Sequence, residues 1–161
     1  MTRTPTFGGP RVSPGYLLWR ATLRWQRRIA TALKPLDLTH VQYVLLESLW
    51  RFDAQGRRPS QRELADRAGT DVMMTSQVVR TLADKGLLRR TVDRRDARKR
   101  VLALTPRGRE ATERAMEVVA RADEEHFGGV GDRRALLVLL GRLAYPEERR
   151  RTRDGGDPVA R

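Results

Sequence analysis

Residues 59–108 constrain the fold of this chain more than any other stretch. They read PSQRELADRAGTDVMMTSQVVRTLADKGLLRRTVDRRDARKRVLALTPRG. Two capped helices, a glycine stop, a short strand, an arginine-rich turn, a second strand and a new helix start follow in order. This order is typical of a helix-turn-helix followed by a β-hairpin wing, and it predicts contact with duplex DNA.

Local signals place the two helices of this unit. Ser60 followed by Glu63 forms a capping box that predicts a short helix through Ala68. Gly69 supplies the tight turn, and a second helix is predicted over residues 70–85. The inward face of the second helix is predicted to hold Thr75, Val78, Val79 and Leu82. Its outward face carries hydroxyls, an amide and an arginine, which suit base edges and phosphates; it holds Met73, Ser76, Gln77, Arg80 and Thr81.

Two strand-like runs, over residues 87–92 and 100–104, flank the turn DRRDARK. Only Asp93 and Asp96 oppose the basic residues of this region, which are Arg89, Arg90, Arg94, Arg95, Arg98, Lys99 and Arg100. Thr105 and Pro106 then predict a new helix, with the hydroxyl as cap and the proline at the first helical position. The predicted fold class is therefore mainly α with a small β-hairpin wing (α+β).

The remaining helices follow from apolar spacing and capping. A first helix is predicted over residues 14–34, and a second begins at Thr39 with Gln42 completing a capping box. A buried stripe of the second helix is predicted at Val41, Val44, Leu45, Leu49 and Phe52, ahead of a polar loop over residues 53–59. A long fifth helix reaches residue 127, and a sixth covers residues 132–145. Residues 1–12 are expected to form a flexible arm and residues 146–161 a disordered basic tail.

Charge narrows the class of partner. The net charge is +13, from 33 basic and 20 acidic residues, which favours an anionic polymer. Nearly all the basic residues are arginine. The excess of arginine over lysine is explained either by phosphate binding or by a GC-rich genome, and the composition leaves both explanations open. Arginines 149–151 and Arg153 are either a solvated tail or a second DNA contact.

Several chemistries are excluded or disfavoured. The chain has no cysteine, which excludes disulfides and thiolate metal sites. No phosphate loop or nucleophile elbow appears, so we expect no enzyme activity and no cofactor. His40 and His126 are the only histidines, and we expect no metal site. No apolar run approaches the ~18–20 residues that span a bilayer, so we expect a cytoplasmic protein that does not bind membranes.

These motifs resemble those of the multiple antibiotic resistance regulator (MarR) family of winged-helix repressors. The likeness runs from about Tyr16 to Leu143 and is strongest in DVMMTSQVVRTLADKGLLRR and DRRDARKRVLALTPRG. The family's Asp-x-Arg wing motif matches residues 96–98, and its Leu-Thr-x-x-Gly motif matches residues 104–108. The signature that opens the second helix matches Leu38, Thr39, Gln42 and Leu45.

The resemblance implies how the chain meets DNA. The recognition helix would be residues 70–85 and the wing residues 87–104. Arg98 would enter the minor groove, oriented by a charge-assisted bond to Asp96, and Arg94 and Arg95 would add phosphate contacts. The alternative for Arg98 is a simple salt bridge with Asp96 within the hairpin. The residues themselves, apart from the resemblance, leave two roles open for Met73 and Met74: one would be core, and the other would touch a thymine methyl or the backbone. The residues expected to contact DNA are Ser60, Gln61, Met73, Thr75, Ser76, Gln77, Arg80, Arg94, Arg95, Asp96 and Arg98.

The resemblance also implies a homodimer with interleaved terminal helices. Residues 13–36 would form an N-terminal dimerisation helix, residues 37–108 the DNA-binding domain and residues 109–145 the C-terminal dimerisation helices. The interface is expected to include Leu17, Val118, Val119, Leu136, Leu137 and Leu140.

The family likeness further implies a transcriptional regulator, most simply a repressor, that is associated with the nucleoid. It would bind a pseudo-palindromic operator, with recognition helices in major grooves and wings in minor grooves. A small aromatic or anionic effector, bound near Trp19, His40 and Tyr43, would release it. Trp25 and Trp50 are further candidates for the lining of this pocket, and the alternative is that these aromatic side chains belong to the core. The alternative is a constitutive or architectural DNA-binding protein with the same contacts and no effector, and the sequence does not separate the two.

Overall fold

The computed structural model describes residues 13–93, 96, 98 and 100–145. The elements in chain order are α1 (Pro14–Leu33), a short 3-10 turn (Lys34–Leu36), α2 (His40–Ala54), α3 (Gln61–Ala68), α4 (Val72–Asp84), β1 (Leu88–Val92), β2 (Arg100–Leu104), α5 (Pro106–Phe127) and α6 (Arg133–Ala144). The predicted mainly α fold with a β-hairpin wing is confirmed. The flexible arm predicted over residues 1–12 and the basic tail predicted over residues 146–161 lie outside the described residues. The tail includes arginines 149–151 and Arg153, for which a solvated tail or a DNA contact was predicted.

Capping residues begin the helices where the sequence predicts them. The Thr39 hydroxyl accepts a hydrogen bond from the backbone N–H of Gln42 at 3.3 Å, and the Gln42 side chain accepts from the N–H of Thr39 at 3.2 Å. Ser60 and Glu63 form the same reciprocal pair at the start of α3. The Thr105 hydroxyl accepts from the N–H of Gly108 at 2.9 Å and caps α5. These three predictions are confirmed.

Two predicted boundaries are wrong. Helix α4 begins at Val72 instead of residue 70, because the Asp71 carboxylate caps it and accepts from the N–H groups of Met73 and Met74. Helix α2 continues through Ala54 into the segment predicted as a loop. It ends before Gly56, which adopts a left-handed φ of 66°.

The core lies around α2, which contacts α1, α3, α4 and β2. Leu45, Leu46 and Leu49 are at most 2% exposed. Val41 and Val44, predicted in the buried stripe, are only half-buried, whereas Leu46 is fully buried. Neighbours on several sides spread the burial of α2 beyond the single stripe that helical spacing predicts. The other elements contribute Ile29, Leu33, Leu64, Val79, Leu82, Leu88 and Leu102 to the same cluster.

The hairpin is antiparallel, with Leu88 opposite Leu104 and Val92 opposite Arg100. The second strand contacts the helix-turn-helix, because the backbone N–H of Leu102 in β2 donates to the Pro59 carbonyl at 2.8 Å. This bond holds β2 against the residue that precedes the start of α3. The wing and the two short helices are therefore part of one packed body.

The described residues divide into two compact units, one ending at Asp123 and the other beginning at Glu124. The second unit holds the end of α5, where an ion pair joins Glu124 and Arg133, and the whole of α6. In this second unit Asp132 caps α6 by accepting from the N–H of Ala135 at 2.9 Å. None of the described helices has the length and apolar content that crossing a bilayer requires.

Candidate nucleic-acid interface

The outward face of α4 combines apolar and polar groups. Ser76 and Gln77 each lie three or four residues from both Met73 and Arg80, so the four side chains share one side of the helix. Met73 is 81% exposed. Gln77 and Arg80 are exposed and Ser76 is half-buried. The structure thus brings four of the predicted DNA-contact residues together on one accessible surface.

Thr75, also predicted to contact DNA, lies on the opposite side of α4. It is fully buried, its hydroxyl donates to the Asp71 carbonyl at 2.7 Å, and it lies 2.8 Å from the hydroxyl of Thr70. The side chain has no surface to offer a base. The prediction of a DNA contact at Thr75 is wrong, and the residue instead joins the turn to the first turn of α4.

The first turn of α4 is apolar and exposed. Val72, Met73 and Met74 are 45%, 81% and 41% exposed. The expectation that one of the two methionines belongs to the core is therefore wrong. The backbone N–H groups of Met73 and Met74 donate to Asp71 Oδ1 at 2.8 and 3.0 Å.

At the start of α3, Ser60 and Gln61 are half-buried. The Ser60 hydroxyl donates to Glu63 Oε2 at 2.8 Å and accepts from the Glu63 N–H at 3.2 Å. Capping therefore engages the hydroxyl that was predicted to contact DNA. A contact between Ser60 and a phosphate would have to compete with the capping box.

Two arginines, one before α3 and one within it, lie against an aromatic ring. The guanidinium groups of Arg57 and Arg67 lie 5.0 and 5.1 Å from the centre of the Phe52 ring. Arg57 also pairs with Glu63 at 3.1 Å. Cation–π contacts of this kind restrain long side chains. The positive charge near α3 is therefore partly ordered.

The end of the wing is shaped by Asp96 and Arg98. The Asp96 carboxylate accepts a hydrogen bond from the backbone N–H of Arg98 at 3.0 Å, which closes a tight local turn. The bond that the structure describes thus reaches the Arg98 backbone, where the resemblance implied one to the side chain. Arg98 is exposed, as are Arg89 and Arg100 on the strands. The predicted phosphate contacts at Arg94 and Arg95 lie outside the described residues.

A polar aromatic cluster lies between α1, α2 and α5. Trp25 Nε1 donates to Asp123 Oδ1 at 2.7 Å. The Trp25 ring meets the His40 ring edge to face, with centroids 4.9 Å apart. Tyr43 follows on α2 and is half-buried. These residues give the region one acidic and three aromatic groups.

Burial shifts the ionisation of this cluster. Desolvation lowers the pKa of His40 below its ordinary value, and the charge of Asp123 opposes that shift. Desolvation, with the charges of Glu47 and Asp123, raises the pKa of Tyr43 to about 12. Both side chains are therefore neutral near pH 7, and the cluster holds a neutral imidazole beside a carboxylate.

Trp19, predicted with His40 and Tyr43 in an effector pocket, does not have the environment expected of a pocket residue. It is 56% exposed and its ring contacts that of Tyr16, with centroids 6.0 Å apart. The tryptophan that meets His40 is Trp25, six residues further along α1. Helical spacing alone does not distinguish these two tryptophans.

The residues predicted at a dimer interface fall into three groups by their exposure. Leu17, Leu137 and Leu140 are 37%, 62% and 37% exposed, and no described residue of α6 is buried. Val118 and Leu136 are half-buried. Val119 is 7% exposed and belongs to the core cluster. The prediction for Val119 therefore needs correction, since its side chain packs within its own chain.

Comparison with known proteins agrees with this geometry. The model of the MarR family matches residues 38–99. An uncharacterized HTH-type transcriptional regulator, YdcH of Bacillus subtilis, is 45% identical over 88% of this chain and 96% of its own length. The chain belongs to the MarR family.

Solved structures of MarR-like regulators share the fold. CouR from Rhodococcus jostii RHA1, bound to p-coumaroyl-CoA, is 28% identical with a TM-score of 0.72, over 82% of this chain and 92% of that one. The MarR family protein Rv2887 of Mycobacterium tuberculosis, in complex with DNA, is 30% identical with a TM-score of 0.66, over 83% of this chain and 98% of that one.

In this MarR-family chain, sequence reasoning missed three positioning residues. Asp71 caps α4, and its residue type directly before an apolar run was an available signal. Lys85 Nζ donates to Asp37 Oδ2 at 2.9 Å and ties the end of α4 to the turn before α2. Asp123 receives the Trp25 hydrogen bond. In the last two contacts the partners are far apart in the sequence, by 48 positions and by 98 positions, so no local pattern reveals them.

Proposed function

We propose that this protein is a homodimeric transcriptional repressor that binds a pseudo-palindromic DNA operator and is released by a small molecule. The observation that carries the proposal is the placement of the exposed face of α4 and the Arg98 turn on one packed body. The Leu102–Pro59 bond and the bonds of Thr105 to Gly86 and Leu87 hold that body together. Membership of the MarR family supports the same conclusion.

The dimer rests on the uncovered apolar surface of α6. Leu137, Leu139 and Leu143 are 62%, 57% and 68% exposed in the single chain. Apolar surface of this extent is normally covered by a partner. A second copy supplies that cover, and its twofold symmetry matches a pseudo-palindrome with half-sites about one helical turn apart.

Each protomer would place α4 in a major groove and its wing in the flanking minor groove. Ser76, Gln77 and Arg80 would contact base edges and phosphates, and Arg98 would enter the minor groove, which A·T-rich sequence narrows. Gln61 would contact the backbone beside α3. Arg94 and Arg95 would each neutralise about one phosphate and steepen the salt dependence of binding.

The effector site would include Trp25, His40 and Tyr43. Aromatic faces and a neutral imidazole suit a planar aromatic ligand, and basic residues elsewhere would balance an anionic group. The complex of CouR with p-coumaroyl-CoA supports a small-molecule signal for this fold. Binding would favour a dimer whose two α4 helices no longer match the groove spacing. We infer regulation without catalysis, in the cytoplasm and on the nucleoid.

The proposal is tested by the Arg98→Ala variant. The wild-type chain would first select binding sites from genomic fragments, and the variant would then be titrated against the best duplex at fixed salt. Loss of a groove-inserted arginine is expected to weaken binding by about 1–3 kcal/mol per site. Arg121→Ala is the matched control, since it removes the same charge from α5.

Three outcomes are informative. Selective loss with Arg98→Ala supports the proposed docking. Equal affinity of wild type and Arg98→Ala, with both folded as dimers, would sink the assignment of Arg98. Failure of the wild-type chain to enrich any sequence would overturn the operator-binding function itself.

A further inference from the structure

The first turn of α4 is the exposed apolar part of an otherwise polar reading face. Val72, Met73 and Met74 follow one another and are 45%, 81% and 41% exposed. Met73 lies next to Ser76 and Gln77 on the outward side of the helix, one turn before them. Single exposed apolar residues are ordinary, but three in succession at the end of a recognition helix require an explanation.

Phosphate binding does not explain this turn. A helix N-terminus binds anions through its free N–H groups. Here the N–H groups of Met73 and Met74 donate to the Asp71 carboxylate at 2.8 and 3.0 Å. That carboxylate also places negative charge where a phosphate would approach. The exposed side chains of this first turn, Val72, Met73 and Met74, are apolar.

Duplex DNA presents one apolar group on its major-groove base edges, the C5-methyl of thymine. The N-terminal residues of a recognition helix are those that contact base edges. Met73 is flexible and polarizable, which suits contact with a methyl group whose position shifts slightly between sites.

We propose that Met73, flanked by Val72 and Met74, reads the C5-methyl group of a thymine at a fixed position in each operator half-site. This inference rests on the proposed operator-binding function and specifies one base of the operator. Met73 is a specificity-determining residue, whereas Gln77 and Arg80 supply polar contacts further along the helix.

The test replaces thymine by uracil, which removes the C5-methyl and keeps the base pair. The full chain would first select duplexes from a randomised pool, which defines the thymines that it requires. Each such thymine would then be replaced by uracil in turn. At the position read by Met73, affinity should fall about fourfold per half-site, the effect expected from one buried methyl group.

Variants link the effect to the side chain. With Met73→Ser, the selected thymine duplex should bind about fourfold more weakly, and replacement by uracil should cause no further loss. Met73→Leu should retain the uracil penalty. Val92→Ser is the matched control, because Val92 is 42% exposed but lies on β1, and it should also retain the penalty.

The outcomes separate this inference from the function on which it rests. A selected duplex that binds equally well with uracil at every thymine overturns the methyl contact and leaves operator binding intact. A uracil penalty that persists unchanged in Met73→Ser assigns the methyl to another residue and also overturns the inference. Failure to select any duplex overturns the proposed function and this inference together.

Discussion

Replacement of Gly108 by alanine is expected to be among the most damaging single changes to this fold. Gly108 is buried in the first turn of α5. A Cβ built there would overlap the Leu87 carbonyl oxygen and lie 2.6 Å from the Leu87 carbonyl carbon. Both opposing atoms are backbone, so no rotation of a side chain relieves the overlap. Either α5 or the chain entering β1 must move.

The magnitude follows from the bonds that such a movement breaks. The Thr105 N–H donates to the Leu87 carbonyl at 3.1 Å, and the Thr105 hydroxyl lies 3.2 Å from that carbonyl and 2.7 Å from the Gly86 carbonyl. Loss of one or two of these bonds costs about 1 kcal/mol each. Overpacking adds about 1–3 kcal/mol. The free energy of unfolding should therefore fall by about 2–5 kcal/mol.

Urea unfolding followed by circular dichroism measures this loss, with protein concentration held constant because the proposed dimer makes stability depend on it. The midpoint of Gly108→Ala should fall by about 1–2 M. Gly15→Ala is the matched control, since Gly15 lies in the first turn of α1 and its Cβ would meet only Ser13 Oγ, at 3.5 Å. A loss below about 1 kcal/mol in Gly108→Ala would refute the reasoning from close backbone approach.

Three further predictions concern the residues that position the site. Asp71→Ala should lower the free energy of unfolding by about 0.5–2 kcal/mol, since α4 loses its cap; an unchanged urea midpoint would contradict that role. Because burial lowers the pKa of His40, the unfolded chain binds its proton more readily, so stability is complete above pH 6.5 and is lost as the pH falls through the lowered pKa. The fall in Tm between about pH 7.5 and about pH 5 should be shallower in His40→Gln than in wild type. If Tm falls equally with pH in both proteins, His40 does not contribute to the pH dependence of stability. Trp25→Phe removes the donor to Asp123 and should cost about 1–3 kcal/mol; an equal cost in an Asp123→Ala background would show that the two groups are not coupled.

Local chemistry explains which predictions succeeded. A capping box is complete within four residues, so the helix starts at Thr39 and Ser60 were readable from the chain alone. The hairpin was predicted within one residue because the alternation of its second strand and the position of Gly86 are also local signals. The start of α4 was missed because Thr70 and Asp71 are both acceptable caps. Only the observed hydrogen bonds show that Asp71 serves.

Residues on the borders of helix faces were not assignable in this way. Thr75 was predicted both on the inward face of α4 and among the DNA contacts, and packing of α4 against α3 and α2 buries it. Val119 was predicted at an interface and lies in the core of its own chain. In each case burial depends on which neighbour covers the face, and helical spacing carries no information about that neighbour.

The sequence by itself determined the order of the elements, the family and the position of the wing, because each depends on residues close together in the chain. Tertiary structure alone shows that Trp25 and not Trp19 meets His40, that Met74 is exposed as well as Met73, and that residue 108 has no room for a side chain. Each of these features depends on a contact between residues that are far apart in the sequence. The spacing of residues along the chain does not show which distant residues meet, so these features follow only from the three-dimensional structure.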